Sequence, residues 1–244
     1  MTHDAASTFS GLMIDALVRG KNRRTTIDDT AYIVQRLRPA RNAKLLDVPC
    51  GIGRISVELA GYGFSVTGVD LSPAALAACQ QLAEERGVNV AWEQRDMRDL
   101  PWVDHFDGAI CWWDSFGFLD EDGNAAHLKA IYQALRPGGR LVLETHVAES
   151  IFAKLPARTW EWLGDLLVME ELGFDHEQTR LLRRWTFMRD GVTERKLISV
   201  QIYTYRALIA LLKWVGFTQI ETSSHRSDEP FRINHTRLNV VATK

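Results

Sequence analysis

The stretch LLDVPCGIGR, residues 45–54, sets an acid, Asp47, and two glycines, Gly51 and Gly53, directly behind a short apolar run. A glycine-bearing turn between strand and helix lets the backbone approach a ligand closely and presents unpaired helix N–H groups. Two glycines there are also ordinary turn chemistry, so a second signal is needed. Asp70 supplies it by ending the apolar run SVTGVD, 23 positions after Asp47. Nucleotide-binding α/β folds place an acid there that accepts hydrogen bonds from a ribose diol, so an adenosine-type ligand is expected. A dinucleotide would rest its pyrophosphate on the turn, but the pattern reads Gly51-x-Gly53-x-x-Ser56, with no third glycine. Asp47 is the stronger objection: a carboxylate about 6 Å from a phosphate is opposed by about 3 kcal/mol at an effective dielectric of about 20. The same carboxylate suits an ammonium or a sulfonium. S-adenosylmethionine carries both, with a ribose and an adenine and no phosphate.

The elements that position these acids follow from periodicity. KLLDV (44–48) reads as a strand and RISVELAGYG as a helix closed by glycine; SVTGVD is a second strand. SPAALAACQQLAEERG follows as a helix, with Ser72 as N-cap, Pro73 in the first helical position and Gly87 past the end. VNVAWEQ, FDGAICWW and GRLVLETH are further strands, the last preceded by the helix NAAHLKAIYQALRPGG. This alternation predicts a parallel sheet with right-handed crossovers, which binds ligands beyond the carboxyl ends of its strands. From about residue 147 the rhythm changes. LLVMEELGFD, RLLRRWTFMRD and RKLISVQIYT read as antiparallel strands, with Asp190-Gly191 as a hairpin turn and RLLRR as a solvated strand face. YRALIALLKWVGF returns to helix, stopped at Gly216, and RLNVVATK closes the sheet. Residues 10–20 and 26–38 read as two leading helices, with Thr25 and Asp28 set as a capping box.

A formal net charge of −2, with acids and bases mixed, gives no electrostatic reason to expect a nucleic-acid or membrane partner. Cys50, Cys79 and Cys111 form no CxxC pair, so a reduced, cytoplasmic protein without a structural metal is expected. The first twenty residues carry Asp4 and Asp15 and lack a basic-then-apolar signal pattern, and ALIALLKWVGF is too short to span a bilayer.

Taken together, these stretches make the chain resemble the class I S-adenosylmethionine-dependent methyltransferases over nearly its whole length. The matching stretches, in order, are LLDVPCGIGR, VTGVDLSPAAL, QRDMRDLP, FDGAICWWDSFGFL and ALRPGGRLVLETH. The resemblance implies a Rossmann-like, seven-stranded, mostly parallel α/β sheet with helices on both faces and a closing antiparallel strand. It implies one domain over 1–244, with residues 1–40 as helices forming a lid and 147–204 as an antiparallel insertion over the substrate. It implies S-adenosylmethionine as cofactor and S-adenosylhomocysteine as product. Asp47, Pro49, Cys50, Gly51 and Gly53 would line the methionine part, Pro49 standing where glycine is commoner. Asp70 and Leu71 would hold the ribose, Asp96 and Met97 the adenine, and Cys111 and Trp112 the sulfur side. The alternatives are a turn acid for Asp96 and plain core packing for Met97 and Cys111.

Methyl transfer from a sulfonium is an in-line displacement that needs a base only when the nucleophile must lose a proton. His146 is the candidate base, since it ends the fifth strand at the carboxyl edge; hydrogen bonding to a loop carbonyl is its alternative. Glu144 would orient it or pair with Arg140, while His225, His235 and His105 read as surface residues. Trp113, Ser115, Arg158 and Trp160, with Trp162, are the candidate substrate wall; for Trp160 and Trp162 the alternative is packing of the insertion on the core. Nucleic-acid amino-methyltransferases carry an Asn/Asp-Pro-Pro-aromatic tetrad where this chain has CWWD. The insertion is similar to the substrate caps of small-molecule methyltransferases, although Gln201 stands where that subgroup often has arginine. The expected partner is therefore a small-molecule substrate, with oxygen or nitrogen as methyl acceptor, and the protein is expected to be a monomer or homodimer. A cyclase or carboxymethyl transferase using the same cofactor, and a non-enzymatic binding module, are the alternatives.

Overall fold

A computed structural model describes residues 8–20, 22–152, 155, 157–233 and 235–244. Two helices lead, α1 (Leu12–Gly20) and α2 (Arg23–Leu37). Alternating elements follow: β1 (Lys44–Asp47), α3 (Arg54–Gly61), β2 (Ser65–Asp70), α4 (Pro73–Arg86), β3 (Ala91–Gln94) and β4 (Phe106–Cys111). Next come α5 (Glu121–Ala134), β5 (Leu135–Thr145), the short α6 (Ala148–Ile151), and four strands, β6 (Ala157–Leu163), β7 (Leu166–Asp175), β8 (Arg180–Arg189) and β9 (Val192–Gln201). The chain ends on α7 (Tyr205–Val215), β10 (Thr218–Ser224) and β11 (Leu238–Thr243).

Local chemistry accounts for the element ends. Ser72 Oγ accepts the Ala75 N–H at 3.1 Å and Gly87 closes α4 with a φ of 62°. Helix α2 starts earlier than its sequence suggested, because Asn22 rather than Thr25 caps it, accepting the Thr25 N–H at 2.8 Å. Asp28 lies inside that helix. Asp190 and Gly191 take left-handed φ values of 50° and 78°, as a two-residue hairpin between β8 and β9 requires.

Seven strands form one sheet in the order β10-β11-β5-β4-β1-β2-β3, in which β11 alone runs antiparallel to its neighbours. Chain order reverses between β1 and β4, so the crevice of such a sheet opens at Asp47 and Cys111. Phe106, Leu128, Leu208 and Leu212 fill the layer beneath α5 and α7; Ile33, Leu45, Ile55 and Ile110 fill the layer beneath α2 and α3. A fully buried side chain of this size contributes about 1.5–3 kcal/mol.

Strands β6 to β9 form a separate antiparallel sheet, whose inner face packs Leu166, Phe187 and Ile198 against Leu12 and Met13 of α1. It starts later than the strand-like sequence from 147, since residues 148–151 are helical. Nor is the 180–184 stretch simply a solvated face. Leu181 is buried and Arg183 pairs with Glu170 at 2.6 Å. Arg180 donates to the carbonyls of Ser199 (2.7 Å), Leu119 (2.9 Å) and Phe118 (3.1 Å) and to Ser199 Oγ (2.6 Å). Loop carbonyls without strand partners need donors, and the five-donor guanidinium supplies them. Among the described residues no helix is long and apolar enough to cross a membrane. Because Arg180 ties this sheet to the loop after β4, Arg180→Met should lower the urea-unfolding free energy by about 2–4 kcal/mol. An unchanged midpoint would show that the clamp carries no stability.

Candidate active site

After Asp47 the chain turns through a cis Val48–Pro49 bond and runs back beside β2. The Cys50 N–H donates to the Val69 carbonyl at 2.9 Å and the Gly51 N–H to Asp70 Oδ2 at 2.9 Å. The Ser72 N–H reaches Asp70 Oδ1 at 2.9 Å. Burial raises the Asp70 pKa, with the Ser72 and Gly51 amides working against it. Each of its oxygens keeps a second lone pair, directed by a carboxylate already locked in place. Gly53 is required twice over: its φ is 74°, and a Cβ there would lie 2.8 Å from both Cys79 Sγ and the Trp92 ring. Gly51, at φ 55°, has nothing within 4 Å of where a Cβ would stand, so a ligand can approach its backbone.

Asp47 is buried and accepts the Ser56 hydroxyl at 2.6 Å. Burial pushes its pKa up to about 7. Asp96 lies at the opposite flank, gripped by Arg98 at 3.0 and 2.6 Å; that bonding lowers its pKa. Leu71 is exposed beside Asp70, while Met97 packs against the core under α5. Cys111 is fully buried, and burial raises its thiol pKa. Trp112 is buried against the Tyr32 ring at 5.9 Å.

Past Trp112 the backbone turns left-handed at two consecutive residues, with φ 59° at Trp113 and 56° at Asp114. For a bulky residue that is uncommon. The Trp113 ring is held between the guanidiniums of Arg54 (4.9 Å) and Arg237 (4.3 Å), and its Nε1 donates to Asp29 Oδ2 at 2.6 Å. Arg54 also reaches Asp29, at 2.9 Å. Asp114 pairs with Arg237 at 2.7 Å and faces His146 Nε2 at 3.2 Å. Burial alone would raise the Asp114 pKa, but Arg237 and His146 outweigh it and hold the carboxyl well below the usual range. Glu144, fully buried, pairs with His225 and lies 3.8 Å from Arg237. Arg140 turns away instead to the Arg36 carbonyl at 3.1 Å.

The remaining candidates separate. His146 Nδ1 meets the Thr236 carbonyl at 2.9 Å, so both of its ring nitrogens face acceptor oxygens. Ser115 turns its hydroxyl back onto the Trp112 carbonyl at 2.7 Å. Arg158 and Trp160 are not brought to this cluster. They lie exposed on β6, where Arg158 pairs with Glu171 at 2.8 Å. Gln201 accepts from Arg180 at 3.3 Å, so an arginine reaches this place from β8 rather than β9. Asp29, Arg237 and the inward-facing His225 carried no local sequence signal. They belong to α2 and to the ends of β10 and β11, and only the topology gathers them.

A parallel sheet with a glycine turn at its switch point and acids ending its first two strands defines a Rossmann-like, nucleoside-binding α/β fold. Residues 45–139 match the family model described as "Methyltransferase domain". A protein of Geobacillus sp. (strain WCH70) classed as a methyltransferase is 38% identical over 214 residues, covering 82% of this chain and 84% of its own. An S-adenosylmethionine-dependent methyltransferase structure from Clostridium acetobutylicum superposes with a TM-score of 0.81 at 17% identity, covering 95% and 96% of the two chains. That of CalS10, an amino pentose methyltransferase from Micromonospora echinaspora with S-adenosylmethionine bound, does so at 0.71 and 24%, covering 96% and 97%. The two structural likenesses bear on the fold. The chain belongs to the class I S-adenosylmethionine-dependent methyltransferases, and S-adenosylmethionine is its cofactor.

Asp114→Asn removes the countercharge from a buried arginine and should cost about 3–5 kcal/mol of unfolding free energy at neutral pH. A carboxyl with a depressed pKa stabilises fully above its unfolded value, about 4, and loses that contribution as pH falls further. Urea unfolding of wild type and variant should therefore converge on acidification; a gap independent of pH would contradict the assignment.

Proposed function

We propose that the protein moves a methyl group from S-adenosylmethionine to an oxygen or nitrogen of a small molecule at the crevice between β1 and β4. The observation that carries the reading is Asp47, a carboxyl group buried beside an open glycine turn with the Ser56 hydroxyl bonded to it; burial raises its pKa to about 7 against that bond. Such a group resists a phosphate and is completed by a cation. The residues present fit the cofactor. Asp47 and the backbone of Cys50, Gly51 and Gly53 would hold the methionine part, Asp70 and Leu71 the ribose, and Asp96 and Met97 the adenine. When bound, S-adenosylmethionine supplies a methyl group on a positively charged sulfur, a leaving group already activated.

What this chain adds is alignment, which is worth about 7–11 kcal/mol in well-oriented reactions. Trp112 to Ser115 form the wall beside the strand end, with the Trp113 ring fixed there by the guanidiniums of Arg54 and Arg237. His146 is assigned a positioning role rather than that of a proton acceptor, because acceptor oxygens take up both ring nitrogens. It ties Asp114 to Thr236 and so fixes the wall. A small-molecule acceptor is supported by the separate antiparallel sheet and by the likeness to an amino pentose methyltransferase.

Two measurements test this. Calorimetry should show cofactor affinity falling as pH drops below about 7, by up to about tenfold per unit, because protonated Asp47 loses its charge. Asp47→Asn should bind weakly with no such slope, and a slope that persists would sink the Asp47 assignment. Methyl-labelled cofactor incubated with a panel of small amines, phenols and sugars should give a labelled small molecule. In that assay His146→Gln should lower kcat while keeping the shape of the pH profile. Loss of the acidic limb would restore His146 as the base.

A further inference from the structure

The four-stranded sheet packs one face on the core and turns the other outward. Among the described residues, its edge strand β6 has β7 as its one strand neighbour. On the outward face of β6, Arg158, Trp160 and Trp162 stand in a row; the two tryptophans are 73% and 66% exposed. An isolated exposed apolar residue is ordinary, but two tryptophans on an open edge are not. Edge strands are usually protected by charged side chains, proline or a bulge. ARTWEWL has no proline, and its pairing with β7 runs without a shift from Ala157 to Leu163; its two charges are Arg158, on the tryptophan face, and Glu161, on the other, so the register of any pairing has to accommodate both.

We propose that β6 pairs antiparallel with β6 of a second copy about a two-fold axis through Trp160, joining the two sheets into one of eight strands. A two-fold axis perpendicular to the sheet keeps both outward faces on one side. Only registers centred on a residue are then allowed, because side chains alternate along each strand. Centring on Glu161 would set two carboxylates directly opposite each other, which is unfavourable. Centring on Thr159 would leave Trp162 beyond the end of the partner strand. Centring on Trp160 stacks that ring on its copy, lays Arg158 against the second copy's Trp162 as a cation–π pair, and sets Thr159 opposite Glu161. The rings meet side by side across the seam and keep their outer faces in solvent, so the interface is a small one, held by main-chain hydrogen bonds along β6 together with the Trp160, Trp162 and Arg158 contacts.

Light scattering coupled to size exclusion should therefore find a dimer. Trp160→Asp should weaken it at least about thirtyfold, with an unchanged circular dichroism spectrum showing that the fold survives. The register has its own readout. Under copper–phenanthroline oxidation Trp160→Cys should form a reducible covalent dimer, while Trp162→Cys alone should not; Trp162→Cys mixed with Arg158→Cys should. Wild type serves as the control for Cys50, Cys79 and Cys111. A monomer at every concentration overturns the proposal. So does a dimer that survives Trp160→Asp and does not cross-link at 160, and self-linking of Trp162→Cys overturns the register.

Discussion

The Asp70 carboxylate accepts the amides of Gly51 and Ser72, one on each oxygen, and the ligand-binding end of the sheet depends on that grip. It ties the turn after β1 to the turn after β2, so two loops on neighbouring strands act as one rigid unit. Gly53 can then lie against Cys79 and Trp92, and α3 starts at Arg54 in a fixed orientation. Arg54 reaches Asp29 and Trp113 from there. A carboxylate that would serve a ribose is thus also the internal brace of its own site. The dual use is possible because each oxygen accepts more than one hydrogen bond.

Charge is managed differently on the two sides of the crevice. Around Trp113 the acids Asp29, Asp114 and Glu144 are matched by Arg54, Arg237 and two histidines, and the cluster is internally compensated. Asp114 accordingly stays ionised far into the acid range. Asp47 is buried a few residues away with a hydroxyl as its hydrogen-bond partner, and its pKa rises instead. The ion-paired acids are held charged, while burial raises the pKa of the one acid that meets a hydroxyl instead of a cation at hydrogen-bond distance.

Most of the fold was legible because it rests on short-range rules. Ser72, Pro73 and Gly87 bound α4, Asp190-Gly191 makes the hairpin, and repeated strand–helix alternation gives the parallel sheet. The glycine turn and the acids Asp47 and Asp70 were legible for the same reason, since spacing along two adjacent strands fixes their neighbourhood. The failures were of longer range. Thr25 lost to Asn22 because the better capping residue stood three positions earlier. Arg180 read as solvated because nothing local reveals that carbonyls some sixty residues away need donors. His225 read as a surface residue and Arg237 drew no reading, because their partners, Glu144 and Asp114, are far off in sequence. Trp160 and Trp162 lie within the insertion and read as substrate wall or packing, but alternation on β6 turns them outward.

The left-handed pair Trp113 and Asp114 shows why the cluster has to be so thoroughly tied. Holding non-glycine residues in that region costs on the order of 1–3 kcal/mol each, and such a conformation persists only where its surroundings over-determine it. The ties come from α2 through Asp29, from α3 through Arg54, from the end of β5 through Glu144 and His146, and from Arg237 just before β11. These hydrogen bonds and ion pairs come from the parallel core, but the four-stranded sheet is not indifferent to the wall. Arg183 of β8 adds its charge to those that keep the Asp114 carboxyl ionised, and Arg180 of the same strand holds the carbonyls of Phe118 and Leu119 a few residues further along. The strained pair is therefore bonded by one sheet while the loop that continues from it is anchored by the other, so a change on β8 reaches the wall through charge and loop position rather than through a direct bond.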